Sequence, residues 1–308
     1  LFSEDVNYKN LTLVVVDEQH RFGVKQRTAL KEKGIQAHML SMTATPIPRT
    51  LSGLLYGDLD ISIIDEMPKG RKEVKTEVFD GDGVKKAYDR VDAEISKGHQ
   101  AYIVTPLINE SDELPAKSTE EVKSFIDKNY PHWRARVLHG GLNAEEKDEI
   151  MQDFIERRLD VLVATVVIEV GVDVKNASVI LVESAERFGL AELHQLRGRV
   201  GRSTLQSYAC LIMRKTTEIS IESARIIETT NDGFEIAEAD LRLRGPGDYL
   251  GTRQSGMPSF KHANPMRHIR VFEELSAYAR EVLKEDPGLT DKKHIGLKKR
   301  IEGLELGD

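Results

Sequence analysis

The sequence predicts an α/β protein: a parallel sheet lobe flanked by helices, preceded by a partial first lobe and followed by a mainly helical C-terminal region. Three observations predict it. Short apolar runs alternate with helically spaced stretches from Val74 to Ile212, which is the pattern of a parallel sheet with crossover helices. A separate group of apolar runs comes before a charged, proline-containing stretch at 65–74. Beyond residue 216 the strand pattern stops and only helical spacing continues.

Each element has its own signal. "LTLVVV" at 11–16 reads as a buried strand, and the runs at 37–42 and 61–64 read as two more. The second leads into "SMTATPIPRT", where Pro46 and Pro48 force an extended exit. "DEMPKGRKEV" reads as an interdomain linker, so the first lobe is expected over 1–68. Val74, Thr76 and Val78 alternate as a strand, and the apolar positions 84, 87, 88, 91 and 95 follow at helical spacing. A strand at 101–104 precedes a helix from Ser118, where Glu121 completes a capping-box pattern. After a strand at 135–138, Asn143 and Glu146 repeat that pattern and open a helix that buries Ile150, Met151, Phe154 and Ile155. Strands at 161–164, 178–182 and 207–212, with a helix near 190–197, complete a second lobe over 69–215. Helices at 218–230, 234–243 and 265–284 surround the glycine-rich loop 244–256 and give a C-terminal domain over 216–285. The tail 286–308 is charged, lacks aromatic residues and is expected to be poorly ordered.

Composition narrows the function classes. The charged fraction of 31% is ordinary for a globular chain. Cys210 is the single cysteine, which excludes an intrachain disulfide framework and a cysteine-cluster metal site and points to a reducing, cytoplasmic setting. No run is long and apolar enough for a membrane span, and no signal peptide is visible. The net charge of −7 argues mildly against nucleic acid, which needs lysine and arginine for its phosphates. Local asymmetry offsets that average. Between 187 and 214 stand Arg187, Arg197, Arg199, Arg202 and Arg214 against the lone acid Glu192.

Five stretches carry candidate chemistry. Asp17 and Glu18 end the first buried strand, the usual way to hold Mg²⁺ and activate water, with Asp17 in the metal's shell and Glu18 as base. Adjacent acids also occur in plain solvated turns, and the dipeptide alone does not separate the two. In "SMTATP", Thr43 and Thr45 would hydrogen-bond the His20 and Glu18 region, or simply terminate a strand. "VLVATVVIEVGVDVKNA" sets Thr165 at a strand end, then Gly171 for close backbone approach and Asp173 for a ribose hydroxyl; an ordinary Gly-Asp turn explains it as well. "LHGGLNAEEK" puts Gly140 and Asn143 at a helix start, where unpaired amides bind phosphate or are merely capped. "HQLRGRVGRS" is sharper: Arg197, Arg199 and Arg202 interleave with Gly198 and Gly201, and crowded guanidinium groups call for an anionic partner such as a γ-phosphoryl group. The lone Trp133 reads as core rather than as a base-stacking platform, and Cys210 likewise as core.

These motifs occur in one order, and that order resembles superfamily 2 helicases, whose two RecA-like lobes sandwich ATP. "DEQHRFGVKQR", "SMTATPIPRTL" and "FEIAEADLRLRGPGDYLGTRQSG" look like the RecG family of branched-DNA helicases. The transcription-repair coupling translocases share the T-A-T-P-I-P-R-T element but typically read D-E-E-H where this chain has Gln19. The resemblance implies ATP and Mg²⁺ as cofactors and branched double-stranded DNA as partner. It implies Asp17 on the metal, Glu18 as base, and His20, Thr43 and Thr45 in coupling. It further implies Gln195, Arg199 and Arg202 on the γ-phosphate, with Gly171 and Asp173 near the ribose. Gly140 and Thr165 would contact the nucleic-acid backbone, and Arg253 and Gln254 would lie in a translocation loop. A transcription-repair translocase and a non-catalytic DNA- or partner-binding module are the alternatives.

One departure is large. No G-x-x-x-x-G-K-[ST] phosphate loop is present, and the dipeptide Gly-Lys never occurs. With Leu1 in place of a methionine, the chain reads as starting inside the first lobe, without that loop and without an N-terminal wedge domain. The purified chain is therefore expected to show no DNA-stimulated ATP turnover in a phosphate-release assay. Measurable turnover would overturn this.

Overall fold

The computed structural model describes residues 6, 8–17, 33, 37–44, 60–64, 66, 70–106, 119–165, 174–244 and 269–302. The chain divides into two compact units, Asp65–Leu243 and Leu1–Ile64 with Arg244–Asp308.

In the smaller unit, β1 (Leu13–Val16) and β2 (His38–Ser41) pair in parallel, with Val14 opposite Met39 and Val16 opposite Ser41. Val14, Val16 and Ala37 are buried, whereas Leu13, Val15, Leu40 and Met42 are exposed. Residues 61–64, expected as a strand, form none. Their isoleucines have strand propensity, but a strand exists only through a ladder, and Ile61, Ile63 and Ile64 stand exposed without one.

The larger unit holds a six-stranded parallel sheet in the order β3-β8-β7-β4-β6-β5. Its strands are β3 (Lys75–Asp80), β4 (Gln100–Thr105), β5 (Ala135–Leu138), β6 (Val161–Thr165), β7 (Ala177–Val182) and β8 (Tyr208–Met213). Every residue of β4 and β7 is buried, as a central strand covered on both faces requires. Side chains alternate between the faces: Ala101 and Ile103 point to one core, Tyr102 and Val104 to the other.

Helices α1 (Val84–Ile95) and α2 (Thr119–Asn129) carry the chain outward from β3 through β4 to β5 and cover one face with Ala87, Tyr88, Val91, Val122 and Ile126. Helices α3 (Ala144–Ile155) and α4 (Leu190–Arg197) carry it back on the opposite face. That face is completed by α5 (Glu218–Thr229) and α6 (Gly233–Arg244), which send Ala224, Ile227, Ile236 and Ala239 into the same core. The lobe is thus doubly wound, the expected α/β class.

Local signals account for the helix ends. The Asn143 side chain accepts from the Glu146 amide at 2.8 Å while the Glu146 carboxylate accepts from the Asn143 amide at 3.1 Å, so the capping box read from the sequence forms. Ser118 lies outside the described residues. Gln100 pins the far end of α3 by donating to the carbonyls of Phe154 and Leu159 at 2.6 and 2.8 Å. Trp133 is core: it stacks on Tyr130 at 4.3 Å and donates its indole N–H to Asp92. Cys210 is fully buried, and burial pushes its thiol up to about 12.

Two further helices, α7 (Ile269–Glu285) and α8 (Ile295–Glu302), belong to the smaller unit. The described tail is ordered locally, in contrast to expectation. Asp286 accepts from the amides of Thr290 and Asp291, both at 2.9 Å, and pairs with the His294 ring, forming a turn that opens α8. Those amides, first, hold the Asp286 carboxyl well below its ordinary range.

Phe154 is fully buried against Tyr102, with ring centroids 5.1 Å apart. Phe154→Ala should lower unfolding free energy by about 3–5 kcal/mol in a urea titration. A loss below about 1 kcal/mol would show that this core is looser than described.

Candidate functional site

The described site residues gather at three places. At the first, Val16 and Ser41 pair at the ends of β1 and β2, and Met42 N–H donates to the Val16 carbonyl at 2.7 Å. Asp17 and Thr43 therefore leave neighbouring strands at the same carboxyl edge, both exposed. Carboxylate oxygen suits a hard cation. Among the described residues no group of three or more His, Cys, Asp or Glu is placed to hold a metal. Glu18, His20 and Thr45 lie outside the described residues.

The second place is the carboxyl edge of the sheet in the larger unit. Thr165 ends β6 directly opposite Thr105 at the end of β4. Both hydroxyl oxygens are buried without a hydrogen-bond partner. Such orphaned groups are uncommon and mark positions where a further polar group completes the structure. Next to them, Leu138 pairs with Ala164, so Gly140 follows at the same edge. A Cβ at Gly140 would meet nothing within 4 Å, so the space before it is open. The neighbouring amides are less available than the sequence suggests. Gly141 and Leu142 donate to His139, and Asn143 and Glu146 are engaged in the cap. Gly171 and Asp173 lie outside the described residues.

The third place is the arginine-glycine loop after α4. It lies at the opposite edge, beside the amino ends of β3 and β8: Gln206 donates to the Glu73 carbonyl at 2.9 Å, and Gly201 faces Val74. Gln195, Arg199 and Arg202 are thus not brought together with Gly140 and Thr165; the sheet separates them. Within the loop the residues sort by direction. Arg197 and Val200 are buried, while Gln195, Arg199 and Arg202 are half-exposed. The Arg202 Nε donates to the Gly198 carbonyl at 3.0 Å. Gly201 sits at φ +74°, and a Cβ there would come within 2.6 Å of Val74, so both backbone and packing demand glycine. At Gly198 a Cβ would press on the Gln195 carbonyl at 3.3 Å.

Arg197 corrects the expectation that three guanidinium groups share one anionic partner. Its Nη1 donates to the carbonyls of Ile227 and Thr230, both at 2.9 Å, and its Nη2 meets His194 Nδ1 at 2.8 Å. Carbonyls at the C-terminus of α5 carry the negative end of the helix dipole and suit a cation. Burial pulls the Arg197 pKa down to about 10, with the Glu73 charge acting the other way. Burial, and then the Arg197 charge, pulls His194 down to about 4. His194 is therefore neutral near pH 7 and can accept from Arg197.

Arg214, itself partly exposed, grips the fully buried Glu183 carboxylate at 2.9–3.0 Å, and Tyr88 donates to the same carboxylate at 2.8 Å. Burial and that carboxylate push the Tyr88 phenol far up, so it stays a donor. Two of the five arginines that make the local sequence basic are thus engaged by the fold itself, Arg197 within the core and Arg214 on a buried carboxylate. Sequence reasoning missed both roles and missed Thr105, whose only signal was its place at a strand end. Arg253 and Gln254 lie outside the described residues.

The His194 shift gives a pH dependence. Between about 4 and the ordinary 6.5, the unfolded chain binds a proton at this histidine that the folded chain does not. Stability should therefore fall as pH drops below 6.5, and His194→Gln, which keeps an acceptor, should flatten that slope. Urea titrations at about pH 7.5 and about pH 5 would test it, and an unchanged slope would contradict it.

Residues 84–204 match the model of the helicase conserved C-terminal domain, and residues 230–305 match that of ATP-dependent DNA helicase RecG, domain 3, C-terminal. ATP-dependent DNA helicase RecG of Thermotoga maritima is 47% identical over 308 residues, covering 100% of this chain and 38% of that protein. RecG of Bacillus subtilis is 46% identical over 274 residues, 89% of this chain and 40% of the relative. The chain thus spans about two fifths of the length of these relatives. A solved structure of RecG bound to a three-way DNA junction superposes with a TM-score of 0.67 at 45% identity, over 89% of this chain and 35% of the other. The Mycobacterium smegmatis helicase Lhr, at 19% identity and TM-score 0.50 over 70% of this chain and 31% of the other, shares the fold. By sequence along its whole length and by fold, the chain belongs to the RecG-type helicases and corresponds to their C-terminal helicase region.

Proposed function

We propose that this chain is the C-terminal portion of an ATP-driven double-stranded DNA translocase that remodels branched DNA such as stalled forks and Holliday junctions. The observation that carries this reading is the arginine-glycine loop. Gly198 and Gly201 let its backbone turn closely where a Cβ would clash, buried Val200 anchors it in the core, and Arg199 and Arg202 stand half-exposed on either side of that anchor. Guanidinium groups held so are suited to the charge that spreads over a transferring phosphoryl group, because little reorganisation is needed during reaction. The RecG relatives and the junction-bound RecG structure support the choice of branched DNA.

ATP with Mg²⁺ supplies the phosphoryl group whose transfer to water drives the motor. Asp17 holds the cation and Glu18 takes the proton of the attacking water. Gln195, Arg199 and Arg202 orient and neutralise the terminal phosphate. Gly171 and Asp173 hold the ribose, and His20, Thr43 and Thr45 pass the state of the site to the DNA. Gly140 and Thr165 contact the nucleic-acid backbone, which the open space at Gly140 favours. Arg253 and Gln254 engage duplex DNA during translocation.

A chimera tests these roles: the 308 residues replace their counterpart in the Thermotoga maritima relative. Arg202→Ala should lower ATP turnover by about a thousandfold and leave junction binding intact. Gln254→Ala should spare most turnover and impair fork reversal. Equal loss of both activities in both variants would sink the division of roles.

A further inference from the structure

A row of polar side chains crosses the larger sheet at the carboxyl ends of its strands, on the face that α1 and α2 cover. Ala101 and Ile103 of β4, Val161 and Val163 of β6, and Val179 and Leu181 of β7 share that face. Alternation along each strand then sets Thr105, Thr165 and Glu183 on it as the next residues. Glu183 follows the Val104–Val182 pair, and its amide donates to the Val104 carbonyl at 2.8 Å, so it stands beside Thr105. On its other side Thr105 faces Thr165, the last pair in the register of β4 and β6.

The two ends of this row differ in how their polar atoms are met. Glu183 is saturated: one carboxylate oxygen accepts from Tyr88 and Arg214 Nη2, the other from Arg214 Nε and Nη2. A carboxylate offers about four lone-pair sites, so nothing remains for Thr105. Thr105 is fully buried and its hydroxyl oxygen has no partner. Thr165 is only half-buried as a residue, yet its hydroxyl oxygen is also shut off from solvent and unmet. Each unmet buried hydroxyl lowers the folding equilibrium by about tenfold. Two of them facing each other across one strand spacing of about 4.8 Å form a site for a small molecule that can donate and accept at once.

We propose that Thr105 and Thr165 hold one buried water between them, and that Thr105, through this water, is a positioning residue for the end of β6. The water continues the pairing of β4 and β6 by side chains at the point where their registered pairs stop. It keeps the Thr165 hydroxyl turned inward, so that the backbone of Thr165 is what β6 offers at the carboxyl edge. The positioning role rests on the nucleic-acid contact proposed above for Thr165, whereas the water site stands apart from it.

Unfolding of the 308-residue chain by urea, followed through the fluorescence of its single tryptophan, Trp133, reports on this face. Thr105→Val and Thr165→Val should each raise the unfolding equilibrium constant by about tenfold, since each leaves the remaining hydroxyl and the water poorly met. The double variant should also raise it by about tenfold rather than a hundredfold, because the water departs with the second hydroxyl. Stabilisation by either single valine, or an effect of about a hundredfold in the double variant, would overturn the shared site. A crystal structure of the chain should show a water about 2.8 Å from both hydroxyl oxygens, and two hydroxyls bonded directly to each other would refute it. In the chimera described above, Thr105→Val should raise the junction concentration that half-saturates ATP turnover by about fivefold and lower maximal turnover by less than about twofold. Thr105→Ser, which keeps the hydroxyl, should stay within about twofold of the parent on both measures. Ile126→Val, a core truncation on α2, should lower the melting temperature and leave the half-saturating concentration unchanged. No rise in Thr105→Val, or an equal rise in Ile126→Val, would sink the positioning role. A parent chimera without ATP turnover would count against the function, while the Trp133 titrations would still judge the water site.

Discussion

The buried guanidinium of Arg197 is the interaction on which the arginine-rich edge depends. A charge taken out of water costs several kcal/mol unless its donors are met. Here carbonyls from the end of α5 and a neutral histidine meet them, each charged hydrogen bond contributing about 1.5–3 kcal/mol. Because Arg197 is anchored inward, the backbone that follows is fixed, and Val200 enters the same core three residues later. Arg199 and Arg202 then have a defined place at the surface. A string that reads as three equivalent cations holds one buried arginine and two half-exposed ones.

A second constraint comes from the parallel sheet. All strands of the larger unit run the same way, so its two edges differ in chemistry. The carboxyl edge carries Thr105, Thr165 and Gly140, with orphaned hydroxyls and open space. The amino edge carries the arginine-glycine loop. The sheet and its packed helices thus hold two chemically distinct edges apart within one lobe. The Glu183, Tyr88 and Arg214 cluster stiffens the ends of β7 and β8.

Much of this was legible in the sequence because the signals are local. Most strand runs, the helical spacing of α1 and α3 and the Asn143–Glu146 cap depend on near neighbours, and the structure forms them where expected, except that Ile155 at the end of α3 is exposed rather than buried and β1 buries only Val14 and Val16. The glycine spacing of the arginine loop was equally visible. What stayed hidden depends on residues far apart in the chain. The carbonyl partners of Arg197 lie 30 and 33 residues downstream, and Arg214 reaches Glu183 across 31. No spacing rule distinguishes an inward arginine from an outward one. Ile61, Ile63 and Ile64 fail in the opposite sense, having strand propensity without a ladder, and the helix at 295–302 hangs on the turn around Asp286 rather than on aromatic packing.

The central claim is that one arginine of the loop is a tether and two are phosphate ligands. A crystal structure of the chimera with a non-hydrolysable ATP analogue tests it most directly. The account predicts Arg199 and Arg202 nitrogens at about 3 Å from terminal phosphate oxygens, with Arg197 still on the carbonyls of Ile227 and Thr230. Arg197 turned to the nucleotide, or Arg199 and Arg202 both left in solvent, would contradict it.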